Sequence, residues 1–252
     1  MLTDVPLDDA AATMTMNGIA LWRTLAHANC WRTYDLAGAC AVATGGPGNS
    51  RAIVCDGADP HHMVPALDEF FGVLPNGYLL EDHGGRHDWR RFGFDGPEVM
   101  HIMAAPPLTA GDVPDGLVIN RVDTPEALAD FERTVVVAFP FRAFASCEGR
   151  MWWDAAVLDV DALRLFVGTV DGVPVGTALA FVTPPATGIY MVAVLPAQRR
   201  RGIATALTRA AAAVQPGLPS VLVATNAGRP LYHAMGYRCA DTSHWWRRRT
   251  VR

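Results

Sequence analysis

YMVAVLPAQRRRGIATALTRAAAA, residues Tyr190 to Ala213, is the stretch on which the reading of this chain turns. An apolar, β-favouring run breaks at Pro196, and an alanine-rich run from Gly202 to Val214 takes up helical spacing a few residues later. Between them lies a turn holding Arg199, Arg200 and Arg201. The first N–H groups of a helix have no intrahelical partner, and the positive end of its dipole points the same way, so such a turn can hold an anion. Gly202 has no side chain to obstruct the approach, and Ala204 has little more. The competing reading is a solvated arginine turn in an arbitrary α/β fold. A dinucleotide fingerprint is disfavoured by the glycine spacing, and a P-loop needs a lysine, which this chain lacks altogether.

Outward from this stretch the pattern stays α/β. Downstream, Val221 to Ala224 reads as a short strand, Pro230 to Met235 as a short helix stopped by Gly236, and Tyr237 to Trp246 as one more strand or a hairpin. Upstream, Leu163 to Val170 and Pro174 to Val182 flank Asp171-Gly172, a hairpin signal, and Ile189 to Val194 is the strand entering the turn. Leu117 to Val122 reads as a strand, and Thr124-Pro-Glu as the cap and first turn of a helix running through FERTVVVAF. The Pro/Gly-rich segment from Ala104 to Gly116 marks a boundary near Asp112, giving units 1–112 and 113–252.

The first unit has a similar order: a helix near Gly18 to His27, strands at Ala39 to Thr44 and Arg51 to Cys55, a helix His61 to Phe71 and a strand Tyr78 to Glu81. GGPGN from Gly45 reads as a hairpin turn. Its end, WRRFGFDGPEVMHIM from Trp89, can be set beside LYHAMGYRCADTSHWW from Leu231, each an aromatic followed by Gly, an aromatic and a strand.

Two motifs carry a family resemblance. Arg199, Gly202 and Ala204, after Val194-Leu-Pro196, fit the order Arg or Gln, two variable residues, Gly, one variable residue, Gly or Ala; NAGRPLYHAMGY, Asn226 to Tyr237, fits a closing strand, a tyrosine-bearing helix, Gly and an aromatic. On these residues the second unit resembles the GCN5-related N-acetyltransferase (GNAT) family. The resemblance implies an α/β fold with a mixed, mostly antiparallel sheet flanked by helices, and acetyl-CoA as co-substrate without a metal. It puts the pyrophosphate on Gln198, Arg199, Arg200, Arg201, Gly202, Ile203 and Ala204, and the pantetheine arm and thioester carbonyl on the backbone of Val192, Ala193 and Val194. Asn226, or Thr225 beside it, would bond the arm, and Tyr232 would protonate the departing thiolate. Many members carry a glutamate base near the strand before the loop; none stands in Ile189 to Val194, so Glu148 and Asp154 are the candidates. The first unit is then a degenerate second copy, making two tandem GNAT-like domains, or an accessory module. The acceptor would be the primary amine of a small molecule or a protein. The rival is a non-catalytic acyl-CoA-binding regulatory protein of the same fold.

Composition excludes other classes. Half the residues are hydrophobic and 18% charged, enough for a sizeable core and against disorder. A net charge of -4 with only short arginine runs argues against a nucleic-acid partner. Five scattered cysteines with no CxxC pair suggest a reducing cytoplasm, and no leader or membrane-length apolar run is expected. His61-His62 and His83 to His87 lack the further ligands of a metal site and read as surface or capping residues. Trp152-Trp153 and Trp245-Trp246 could wall an acceptor pocket but read better as core. A homodimer is left open.

Overall fold

The apolar runs and turn signals become eleven strands and five α-helices in the computed structural model, which describes residues 9–44, 50–72, 74, 77–139 and 153–249. In chain order these are α1 (Ala10–Ala28), β1 (Arg32–Leu36), β2 (Ala39–Ala43), β3 (Arg51–Val54), α2 (Pro60–Phe71), β4 (Tyr78–His83) and β5 (Asp95–Ala105). There follow β6 (Leu117–Arg121), α3 (Pro125–Ala138), β7 (Leu163–Val170), β8 (Val173–Thr183), β9 (Ala186–Val194), α4 (Ile203–Ala212), β10 (Ser220–Ala224), α5 (Arg229–Ala234) and β11 (Arg238–Arg248). GGPGN and Glu148 lie outside the described residues. No helix among the described residues is long and apolar enough to cross a membrane.

Local chemistry explains the elements. Asp171 and Gly172 both take positive φ (51° and 77°), so the β7–β8 turn matches the right-handed twist of its strands. Thr124 caps α3 by accepting from the Ala127 N–H at 3.2 Å, with Pro125 opening the first turn. In α1, Ala10, Met14, Gly18, Leu21, Trp22 and Leu25 recur at three- and four-residue spacing and form its buried face.

The strands form one sheet in the order β1-β2-β3-β4-β11-β5-β10-β9-β8-β7-β6. Neighbours are antiparallel except β3 with β4 and β9 with β10, each parallel pair being joined by a helix, α2 or α4. After each pair comes a short helical turn, Trp89–Phe92 or α5, then a left-handed glycine, Gly93 or Gly236, then a buried aromatic, Phe94 or Tyr237. Each series ends in an 11-residue strand, β5 or β11. The likeness of the Trp89 and Leu231 segments in sequence therefore falls on corresponding places in the topology. The two long strands are exchanged: β11 lies between β4 and β5, and β5 between β10 and β11. The boundary near Asp112 falls between β5 and β6, yet the two units share a single sheet.

That sheet curls about α1. A Cβ on Gly18 would lie 3.5 Å from Ile53 Cδ1 on β3 and 3.8 Å from the Tyr190 hydroxyl on β9. One core cluster accordingly joins Val42 and Ile53 with Leu165, Leu179 and Phe181 through α1 and α3. Helix α4 packs on the other side over Leu117, Val175 and Leu222.

Candidate active site

Beneath α1 the curled sheet encloses a cavity of ≈ 500 Å³. Strand alternation decides what it sees. Glu81 of β4 is opposite Trp245 of β11, which is opposite Glu98 of β5, and all three line the cavity; so do His83 and Met100, both opposite Ser243. Asp82, between Glu81 and His83, points to the other face and accepts from the Trp89 indole N–H at 2.9 Å. Met14, Gly18, Leu21 and Trp22 of α1 form the roof. The lining also includes Tyr190, Met191 and Val192 of β9, Thr225 after β10, and Tyr232 of α5.

Beside these residues the sheet splits between parallel strands. Pairing of β9 with β10 runs from Thr187–Ser220 to Ile189–Leu222 and goes no further. On its other side β9 slips register with β8 between Leu179–Tyr190 and Thr177–Ala193, and Met191 takes φ 50°. Such a bulge takes residues out of the ladder and re-aims their peptide groups. Thr177 Oγ1 fixes it by donating to the Met191 carbonyl at 2.8 Å. Val192 lines the cavity, while Ala193 and Val194 are buried and lead out of the bulge.

The turn beyond follows directly. Pro196–Gln198 is one 3-10 turn, Arg200 has φ 63°, and Gly202 sits at the N-cap of α4 with φ 79° and no side-chain cap. The first helical bond is Ala206 N–H to the Gly202 carbonyl at 3.0 Å, so the N–H groups of Ile203, Ala204 and Thr205 have no helical acceptor. The three arginines differ in role. Arg199, though exposed, donates to the Val194 and Ala138 carbonyls at 3.1 Å each and ties the end of α3 to the exit of β9. Arg201 bonds Gln198, and Arg200 is exposed. The corresponding helix of the first unit has the opposite chemistry: Asp59 caps α2 with its own carboxylate, accepting from His61 N–H at 2.9 Å, and Pro60 removes a donor.

Tyr232 is 9% exposed, with its ring edge-on to Tyr237 at 5.6 Å. Burial, and to a lesser degree Tyr237, holds its phenol well above the ordinary tyrosine range, so it stays protonated. Asn226 is exposed and contacts His101 Nε2 at 2.8 Å, whereas Thr225 faces the cavity and accepts from Gly228 N–H. Asp154 caps the turn Ala155–Asp159 and does not line the cavity.

A second polar group in the cavity was not anticipated. Arg51 and Glu81 form an ion pair with side-chain exposures of 12% and 7%, and the Arg51 guanidinium lies 3.8 Å from the centre of the Trp22 ring. Burial works against the Glu81 charge, but Arg51 and His83 outweigh it and hold the carboxyl below its ordinary range. His83, read from sequence as a surface or capping residue, is 4% exposed. The correction has a simple cause: Glu81 and His83 are two apart on one strand, and the helix that covers their face, α1, lies far away in the chain. Trp245 likewise lines the cavity, while Trp246 and Trp153 are core.

Residues 161–239 match the sequence model of the acetyltransferase (GNAT) domain. Solved structures share the fold over nearly the whole chain. A GCN5-related N-acetyltransferase from Kribbella flavida aligns with TM-score 0.65 and 18% identity, covering 96% of each chain. An acetyltransferase of the GNAT family from Novosphingobium aromaticivorans gives 0.61 and 14%, covering 94% of this chain and 97% of its own. A functionally unknown conserved protein from Staphylococcus epidermidis gives 0.59 and 14%, covering 86% and 93%. No curated protein matches the sequence. Residues 161–239 are thus similar to a GNAT acetyltransferase domain, and the chain shares its fold with these solved structures.

Proposed function

We propose that this protein is an N-acetyltransferase that moves the acetyl group of acetyl-CoA to the primary amine of a small molecule. The uncapped N-terminus of α4, placed beside the split between β9 and β10, carries the reading. A helix start left without a capping side chain, preceded by a left-handed glycine, suits a pyrophosphate held by N–H groups. Gln198 to Ala204 would hold it, with Arg200 and Arg201 adding charge and Arg199 shaping the turn. The split would admit the pantetheine arm, and N–H groups around the bulge at Met191 to Val194 would polarise the thioester carbonyl. Tyr232, neutral and facing the cavity, would donate a proton to the departing sulfur.

The roof of α1 over the cavity favours a small acceptor over a protein side chain. The first unit is, on this reading, a degenerate copy of the same fold. The repeated order of its elements supports that, and the Asp59 cap on α2 explains why it would bind no second pyrophosphate. The test is calorimetric titration of acetyl-CoA into the protein and into Gly202→Glu. Binding to the first and none to the folded second is expected; no binding to the folded wild type would end the transferase reading.

A further inference from the structure

His83 is held in one tautomer by a short chain of hydrogen bonds. Thr15 Oγ1 lies 2.8 Å from the Ala11 carbonyl and 2.9 Å from His83 Nδ1. A hydroxyl has one hydrogen, and a carbonyl can only accept, so the Thr15 hydrogen goes to Ala11 and Nδ1–H must be the donor to Thr15. In the neutral ring this leaves Nε2 with a bare lone pair. Among the described residues that atom has no hydrogen-bond partner, although the residue lines the cavity and is 4% exposed. Glu81 Oε2 stands 3.6 Å from it and is an acceptor too, the other oxygen being taken by Arg51. Two buried acceptors facing one another across that gap need a donor with more than one hydrogen.

The same helix ties this pair to β9. Asn17, two residues beyond Thr15, accepts from the Tyr190 hydroxyl at 2.5 Å, and Tyr190 immediately precedes the bulged Met191. The acceptor pair on β4 and the bulge on β9 therefore face one space beneath α1.

We propose that Glu81 and His83, both in the first unit, form the ammonium site for the acetyl acceptor, with His83 Nε2 as the atom that takes its proton. This rests on the transferase reading above. The R–NH₃⁺ group donates to Glu81 Oε2 and His83 Nε2. One N–H bond breaks with its electrons left on nitrogen, and the proton on Nε2 gives an imidazolium beside Glu81. The amine lone pair forms the C–N bond at the acetyl carbonyl, the C–S bond breaks with its pair leaving on sulfur, and Tyr232 gives sulfur a proton. The second ammonium proton restores Tyr232, and the proton on His83 passes to solvent. The degenerate half thus supplies what the catalytic half lacks, since β9 carries no acid.

The experiment is nitrogen NMR of the full chain labelled at histidine, with His83 assigned from the signal missing in His83→Gln. In the free protein at neutral pH, Nδ1 should carry hydrogen and Nε2 should not. Methylamine hydrochloride should shift Nε2, and methanol should not. Thr15→Val keeps the volume but removes the acceptor for Nδ1–H; its response to methylamine should weaken about tenfold while acetyl-CoA binding is unchanged. A free-protein ring protonated at Nε2, or an Nε2 signal unmoved by methylamine, overturns the site. Acetyl-CoA calorimetry on the same samples separates the two ideas. Acetyl-CoA binding with Nε2 unmoved sinks the ammonium site alone, and an Nε2 shift without acetyl-CoA binding sinks the transferase.

Discussion

Glu81 and Tyr232 line one cavity and should answer differently to substitution. Glu81→Gln removes the carboxylate partner of buried Arg51 and should cost about 3–5 kcal/mol in denaturant unfolding. Because the folded-state pKa of Glu81 is lowered, its contribution is present above the ordinary carboxylate range and is lost as pH falls through the folded value. The wild type should therefore lose more stability on acidification than Glu81→Gln, read as unfolding midpoints across pH. Tyr232→Phe keeps the packing against Tyr237 but not the proton; kcat should fall roughly 10²–10⁴-fold with acetyl-CoA affinity unchanged. Gly202→Glu should do the reverse, abolishing cofactor binding, since a side chain there meets φ 79° and the Pro114 ring 3.0 Å from its Cβ. The positions of Tyr232 and Gly202 were legible in the sequence because their signals are local: a turn before a helix, a tyrosine before Gly and an aromatic. Glu81 and His83 were not, because the face they occupy is buried only by α1, distant in the chain.

At the scale of elements, α1 and β9 are locked by an uncommonly close approach. A Cβ on Gly188 would overlap Asn17 Oδ1, the atom that accepts from Tyr190, and Asn17 is itself held by the Phe181 carbonyl and by Thr183 Oγ1 at 2.8 Å. Gly188→Ala should therefore cost about 1–3 kcal/mol in thermal or denaturant unfolding and loosen the Tyr190 contact. The β7–β8 hairpin and α3 could be placed from sequence because Asp171-Gly172 and Thr124-Pro125 dictate backbone geometry on their own. Strand β1, RTYDL, was missed for an equally physical reason: four of its five residues are exposed at the sheet edge, so it has no buried face to produce alternation. The first two turns of α1, Ala10 to Asn17, were missed too, its AAATM start giving no strong cap; Asp9 makes no side-chain capping bond.

The whole molecule is bound by the exchange of β5 and β11. A fragment of residues 113–252 retains the GNAT match but loses β5, the strand that joins β10 to β11. Produced alone, it should be insoluble or unfolded by circular dichroism, and adding the 1–112 fragment should restore folded, acetyl-CoA-binding material; a soluble, cooperatively folding 113–252 fragment would contradict the topology. The Pro/Gly-rich segment suggested a boundary between β5 and β6 but could not reveal that one sheet spans it, because exchange leaves no local trace in composition. It also sets an order on biosynthesis. Domains generally fold as units while the chain is being made, the earlier part first. Here the earlier part has a gap between β4 and β5 that only residues 238–248 fill, so neither half can close its sheet until the ribosome has passed Arg248.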